Sequence, residues 1–449
     1  MGQYFPAFKA YDVRGVVPTE LNPDIAYKVG RAYADELKPK KVCIGYDIRL
    51  SGPDLYDALA RGLNDAGVDV IHLGMVGTEM VYFATAFYGY DGGVMITASH
   101  NPPEYNGLKM VRAESRPISG DTGLFDIERR AYEGKWERFG TGTREDKDVY
   151  ADFVQHLLQV VPPDGIGKLK LLLDAGNGAA GIALEDLLPH LPQLEVEKML
   201  FTPDGNFPHG VPNPILEESR APAVKRMHEE KFDFGVAWDG DYDRCFFFDE
   251  HGEFIEGYYI VGLLAQSILH TDHGAAIVYD PRLTWNTIEI VEENGGRPVL
   301  CKSGHAFIKE KMRAVDAVYG GEMSAHHYFK AHWYCDSGMI PFLLVARLVT
   351  KTGRPLGDLV GEMIAKYPCS GEVNSKVADV EGTLAKVEAK YGPGGKIDKV
   401  DGLSIEYPEW RFNLRGSNTE PVIRLNVESR GDAKLMHEKT EELLAIIRA

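Results

Sequence analysis

Short apolar runs closing on Gly, Asp or Pro alternate along this chain with longer stretches of helical period. The runs Lys41–Tyr46, Val68–Leu73, Gly93–Thr97, Leu169–Asp174, Phe234–Trp238, Ala275–Tyr279 and Ala317–Tyr319 predict strands. Asp24–Leu37, Asp54–Ala66 and Gly257–Leu269 predict helices between them. Alternation of this kind implies several α/β units on largely parallel sheets. After about Ala365 the texture changes. Gly371–Val377, Gly402–Tyr407 and Val422–Val427 read as strands, and a closing helix starts near Ala433. That is the pattern of a smaller α+β domain.

The string Tyr46-Asp47-Ile48-Arg49-Leu50-Ser51 returns as Tyr279-Asp280-Pro281-Arg282-Leu283-Thr284. Each copy follows an apolar strand and opens a helical segment. Leu169–Gly181 has the same strand-then-Asp layout with a glycine-rich turn. Three related α/β units in tandem is the simplest reading. The chain has 449 residues. At roughly 100–200 residues per domain, about two to four domains are expected.

Composition narrows the class. Apolar residues make up 44% and charged residues 26%, a globular profile. The longest apolar stretch, Tyr258–Leu269, is interrupted by Gly262, Gln266 and Ser267. It also falls short of the roughly 20 residues that cross a bilayer. The first residues show no signal-peptide pattern, and Pro6 stands where a myristoylation signal needs Ser or Thr. A cytoplasmic address is expected. The five cysteines are scattered without a CxxC pair, which predicts reduced structural thiols and no zinc site. Acids exceed bases by 18, so the surface repels nucleic acid and anionic membranes. An anionic substrate would then need basic residues gathered locally against the general field.

Four polar constellations carry candidate chemistry. Thr97-Ala98-Ser99-His100-Asn101-Pro102 follows a strand, where α/β proteins place chemistry, and Ser99 is a candidate nucleophile. A capped turn before Pro102 is the alternative. Asp239-Gly240-Asp241-Tyr242-Asp243-Arg244 sets three carboxylates at alternate positions, enough to wrap one hard cation. An EF-hand does not fit: Arg244 stands where the loop needs Gly, and both flanks read as strands. In Gly320–His327, Glu322 and Ser324 suit sugar hydroxyls, and His326 could move protons near neutral pH. A satisfied polar turn explains that segment equally well. Arg415–Pro421, with Arg424 beyond it, offers hydroxyl, amide and backbone donors beside two arginines. It is the local basic patch sought above, and no Walker A string accompanies it.

In this order the strings resemble the α-D-phosphohexomutase (phosphomannomutase/phosphoglucomutase) family. The match runs from Lys9–Gly15 through the Ser99, Asp239 and Glu322 loops to Arg415–Pro421, essentially the whole chain. The resemblance implies an α/β protein of three tandem α/β domains and a C-terminal α+β domain around a central cleft. The expected divisions are 1–152, 153–253, 254–366 and 367–449. It implies that Ser99 is the phosphoserine, and that Asp239, Asp241 and Asp243 hold Mg²⁺ with the serine phosphate completing the shell. Tyr11, Arg14, His100, Lys109 and Arg244 match residues around the transferring phosphate. Glu322 and Ser324 match the sugar readers, and Arg415, Ser417, Asn418 and Thr419 the distal phosphate clamp, with Arg424 nearby. Gly304, His305 and Lys309 fit a further substrate-contact loop. Arg282 stands where other members carry Lys, with a phosphate contact as its expected role. Two departures appear: Met75-Val76-Gly77-Thr78-Glu79 replaces Gly-Val-Pro-Thr-Pro, and Ala325 replaces a common Gly. Neither is expected to touch a catalytic group.

The implied reaction passes a phosphoryl group from phospho-Ser99 to a hexose 1- or 6-phosphate. The hexose 1,6-bisphosphate, also the expected activator, turns over and returns its other phosphate. His326 or Lys109 would handle the hydroxyl proton. Mannose and glucose are the expected sugars, serving GDP-mannose and polysaccharide synthesis, and a monomer is the expected state. The rivals are a phosphatase using the same serine and metal, and a non-catalytic sugar-phosphate binder.

Overall fold

The computed structural model describes residues 3–416 and 422–449. It divides into two compact units, one comprising the chain through Phe254 with His326–Gly353, the other Ile255–Ala325 with the chain from Arg354 onward.

In the first unit a mixed sheet runs in the order Val13–Val16, Tyr105–Arg112, Gly92–Ile96, Lys41–Tyr46, Asp69–Met75, Arg144–Asp146. Its last four strands are parallel, as the strand–helix alternation predicts, and the first two add antiparallel. Val42, Ile44, Val70, Val94 and Ile96 join Val29, Leu59 and Leu63 of the covering helices in one core. Those helices, Pro23–Leu37 and Gly52–Asn64, meet closely at two glycines. A Cβ on Gly30 would lie 2.4 Å from the Leu59 carbonyl oxygen, and one on Gly62 2.2 Å from that of Tyr27.

A second sheet of this unit places Leu194–Met199, Leu169–Asp174 and Phe234–Trp238 in parallel, with Cys245–Phe248 antiparallel beside the last. The aspartate loop therefore closes a hairpin of two fully buried strands, Phe234–Trp238 and Cys245–Phe248. That arrangement confirms the rejection of an EF-hand, which needs helices on both sides.

In the second unit Arg297–Leu300, Ala276–Tyr279 and Tyr319–Gly321 run parallel. An antiparallel sheet follows in the order Val373–Lys376, Val422–Ser429, Trp410–Gly416, Leu403–Glu406, Lys396–Asp398. Phe412, Leu414, Ile423 and Leu425 pack there with Val387 and Leu443 of the helices Val380–Tyr391 and Ala433–Ile447. This is the predicted α+β texture. Among the described residues no helix is long and apolar enough to cross a membrane.

Candidate active site

Strand Gly92–Ile96 is buried along its whole length, and the Ser99 loop leaves from its carboxyl end. Ser99 is 4% exposed and sits at φ +49°, a left-handed turn that few non-glycine residues adopt. The loop is held from below by an arginine. Arg49, buried, donates from Nη2 to the carbonyls of Ser99 and Asn101 at 2.9 and 2.6 Å, and from Nη1 to those of Pro102 and Tyr105 at 2.7 and 2.8 Å. Asp47 supports the same loop by accepting from Thr97 Oγ1 at 2.6 Å and from the Arg49 backbone at 3.0 Å.

The Ser99 hydroxyl donates to Asp239 Oδ2 at 2.7 Å and lies 3.1 Å from His100 Nδ1. Arg244 reaches the same place, with Nε 2.8 Å from Asp239 Oδ2 and Nη2 3.4 Å from Ser99 Oγ. Arg244 Nη2 also lies 2.5 Å from His100 Nδ1. Burial, reinforced by Arg244 and Arg14, holds His100 well below the usual imidazole range, so its ring is neutral. Arg14 donates to Asn101 Oδ1 at 2.7 Å and pairs with Asp12 at 2.7 Å. Tyr11 is half-buried in the same N-terminal segment.

Asp239, Asp241 and Asp243 are all buried, and each offers an oxygen within 4.8 Å of the others'. Lys109 Nζ bonds Asp241 Oδ2 at 2.6 Å and Asp243 Oδ2 at 2.5 Å. Burial works against the ammonium, but these two carboxylates outweigh it and raise the Lys109 pKa. Lys109 is therefore held protonated, as a fixed positive charge and hydrogen-bond donor to the two carboxylates. The other oxygens, Oδ1 of Asp241 and Oδ1 of Asp243, are buried and accept no hydrogen bond among the described residues. His326 Nε2 lies 3.6 Å from Asp243 Oδ1. Carboxylate oxygens withheld from water without donors are costly unless a cation takes them. This donor set of hard oxygens fits a magnesium-type ion.

The second unit holds a cationic set. Arg282, buried, takes Asp280 in a two-pronged grip at 3.0 and 2.9 Å. Its Nη2 also lies 3.2 Å from Glu322 Oε1 and 3.2 Å from Ser324 Oγ. The guanidinium thus lies between Asp280 and the candidate sugar readers Glu322 and Ser324. Gly304 donates its N–H to Glu322 Oε1 at 2.9 Å from a φ of +125°, which favours glycine, at the start of helix His305–Val315. His305 and Lys309 occupy the first turns of that helix, and Lys309 is fully buried. Glu372 gathers three arginines: Arg282 at 3.6 Å, Arg415 at 3.8 Å and Arg424 at 3.4 Å. The Nε atoms of Arg415 and Arg424 are buried and make no hydrogen bond among the described residues, so donors remain for an anion. Ser417, Asn418 and Thr419 lie outside the described residues.

Two of these supports were visible in the repeat without their purpose being legible. Asp47 and Arg49 brace the Ser99 loop. Asp280, accepting from the Met323 N–H at 2.9 Å, and Arg282, reaching the Glu322 and Ser324 side chains, brace the Glu322 loop. Glu372 belongs to no string that stands out.

Four family models match in chain order: phosphoglucomutase/phosphomannomutase alpha/beta/alpha domain I over residues 6–138, domain II over 148–252, domain III over 256–367, and the C-terminal domain over 372–445. A relative named "Phosphohexose mutases" from Xanthomonas campestris is 54% identical over 449 residues, covering 99% of both chains. The chain belongs to the phosphoglucomutase/phosphomannomutase family. It is a mutase enzyme. A phosphomannomutase of Escherichia coli is 53% identical over 450 residues, 98% of this chain and 99% of that one. The crystal structure of a phosphoglucomutase/phosphomannomutase family protein from Burkholderia thailandensis superposes with a TM-score of 0.87 at 33% identity, covering 100% of this chain and 98% of the other.

Both departures from the phosphohexomutase pattern now acquire a structural meaning, the first beside a threonine that the pattern shares. The segment Met75–Glu79 does touch the acidic cluster: the Thr78 hydroxyl donates to Asp241 Oδ2, and the Thr78 N–H donates to the Asp241 carbonyl at 3.1 Å. The chain folds this segment against the metal loop, with Gly77 so close that a Cβ would lie 2.1 Å from the Tyr242 ring. Ala325 sits at φ +68°, a left-handed conformation in which the family's usual glycine is unstrained.

Proposed function

We propose that this mutase interconverts hexose 6-phosphate and hexose 1-phosphate, with mannose and glucose as sugars, through a phosphorylated Ser99 and a hexose 1,6-bisphosphate. The observation that carries the reading is a serine hydroxyl bonded to Asp239 beside two buried carboxylate oxygens without donors. Asp239, Asp241 and Asp243 would hold Mg²⁺. When bound, the ion supplies charge neutralisation at the serine phosphate.

The chain's own residues do the rest. Arg244 and Lys109 place positive charge around Ser99, where negative charge concentrates in phosphoryl transfer. Phospho-Ser99 gives its phosphoryl group to the free hydroxyl of the hexose phosphate, and the P–O bond to Ser99 breaks as that to the sugar forms. His326, partly exposed and beside Asp243, takes the hydroxyl proton. Lys109 is too firmly paired to serve as base. The bisphosphate then presents its other end, and Ser99 recovers a phosphoryl group. Recognition falls to Glu322 and Ser324 for sugar hydroxyls, and to Arg415 and Arg424 with Ser417, Asn418 and Thr419 for the second phosphate. Support for mannose comes from the relatives' names, and mannose 1-phosphate suits sugar-nucleotide supply for polysaccharides.

Incubation with mannose 1-phosphate and Mg²⁺ tests the reading. We expect mannose 6-phosphate, stimulation by hexose 1,6-bisphosphate, and a fall of at least about 10³-fold in Ser99→Ala, in line with loss of an essential covalent nucleophile. Release of free phosphate without the 6-phosphate would instead make the enzyme a phosphatase.

A further inference from the structure

We infer that Thr78 is a positioning residue for cation capture, setting which oxygen of Asp241 is offered to the ion. The inference rests on the reading that Asp239, Asp241 and Asp243 hold a divalent cation. Asp241 has two carboxylate oxygens in unlike surroundings. Oδ2 accepts from the Thr78 hydroxyl and from Lys109 Nζ, whereas Oδ1 accepts nothing among the described residues. Two donors on one oxygen fix the rotation of the carboxylate and leave the other oxygen for the ion.

Thr78 is suited to this by its surroundings. It is fully buried, and its hydroxyl receives a long hydrogen bond from Lys109 Nζ at 3.4 Å while donating to Asp241. A β-branched side chain has few χ1 choices, so little entropy is lost in aiming the hydroxyl. Its own N–H on the Asp241 carbonyl ties the two backbones together. The next residue anchors the segment: Glu79 Oε1 accepts from the N–H groups of Gly338 and Met339 at 3.3 and 3.2 Å, where helix Met339–Thr352 begins. Hydrogen bonds that orient metal-binding carboxylates typically govern affinity by about 10–100-fold.

Manganese binding, followed by electron paramagnetic resonance on the full-length protein, tests this apart from catalysis. Thr78→Val should weaken Mn²⁺ binding by about 10–100-fold while the thermal midpoint stays within a few degrees of the parent, and Thr78→Ser, which keeps the hydroxyl, should restore it. If Thr78→Val does not fold, Thr78→Ala provides the same reading with the hydroxyl removed and no added bulk. Asp241→Asn is the control for the metal site. Loss of Mn²⁺ in Asp241→Asn with parental affinity in Thr78→Val would overturn the inference and leave the metal reading standing. Full-strength binding by Asp241→Asn would overturn the metal reading itself.

Discussion

Arg49 is the residue on which the Ser99 loop depends most. One guanidinium holds four carbonyl oxygens of residues 99–105, and no lysine could present that fork. Arg49→Met should leave the Ser99 hydroxyl in place chemically but let its loop drift. We expect kcat to fall by about 10²-fold with a much smaller change in KM, since ångström-scale misplacement costs that much in an oriented reaction. Steady-state kinetics check this. The sequence made Ser99, Asp239, Asp241 and Asp243 conspicuous, because each stands in a compact polar string between apolar runs. The roles of Thr78 and Glu372 were silent because their partners are remote in sequence, and Arg49 stood out only as part of a repeat. The Tyr-Asp-x-Arg repeat was the one available hint that an Asp–Arg pair braces a loop in each copy.

At the level of elements, strand periodicity served well where strands are buried on both faces. Leu169–Asp174 and Phe234–Trp238 emerge with the predicted bounds. Tyr105–Arg112 did not stand out, because its alternation is interrupted by Asn106, Gly107 and Lys109, each required by a tertiary contact. Gly107 is one case: a Cβ there would lie 2.3 Å from the Val13 carbonyl oxygen on the neighbouring strand. The helix pair Pro23–Leu37 and Gly52–Asn64 follows the same logic, with glycines at the crossing that no helix propensity would choose. Gly30→Ala should improve intrinsic helix propensity yet destabilise the first unit by about 1–3 kcal/mol, because the added methyl has only a backbone carbonyl to meet. Chemical denaturation would show a lower midpoint with an unchanged slope. A stabilised variant would mean that the helices separate freely.

For the whole molecule, a net charge of −18 makes the clustered arginines around Glu372 and the cations around Ser99 the exception that an anionic substrate requires. Stability also has a pH signature. Burial pushes His156 down to about 4, and its ring stacks on Trp333 with Nε2 3.0 Å from His332 Nδ1. The folded chain keeps this ring neutral while the unfolded chain protonates it below about 6.5. Its contribution is therefore complete above pH 6.5 and is lost as pH falls toward 4. Burial also raises the Asp47 carboxyl to about 6, which acts with opposite sign between about pH 4 and 6, so the comparison must be between variants. The stability gap between the parent and His156→Gln should narrow by about 2 kcal/mol from pH 7 to pH 5, measured by urea unfolding at each pH. A gap independent of pH would show that the folded chain protonates His156 as readily as the unfolded chain does.

Turnover through a phosphoserine requires Ser99 to carry the phosphoryl group in every cycle. Mass spectrometry of the Ser99 peptide, before and after mixing with excess mannose 1-phosphate or mannose 6-phosphate, tests it most directly. Enzyme treated with hexose 1,6-bisphosphate should carry phosphate on Ser99, and should discharge to the unphosphorylated serine as either monophosphate becomes bisphosphate. A Ser99 peptide that is never phosphorylated while mutase turnover proceeds would contradict it.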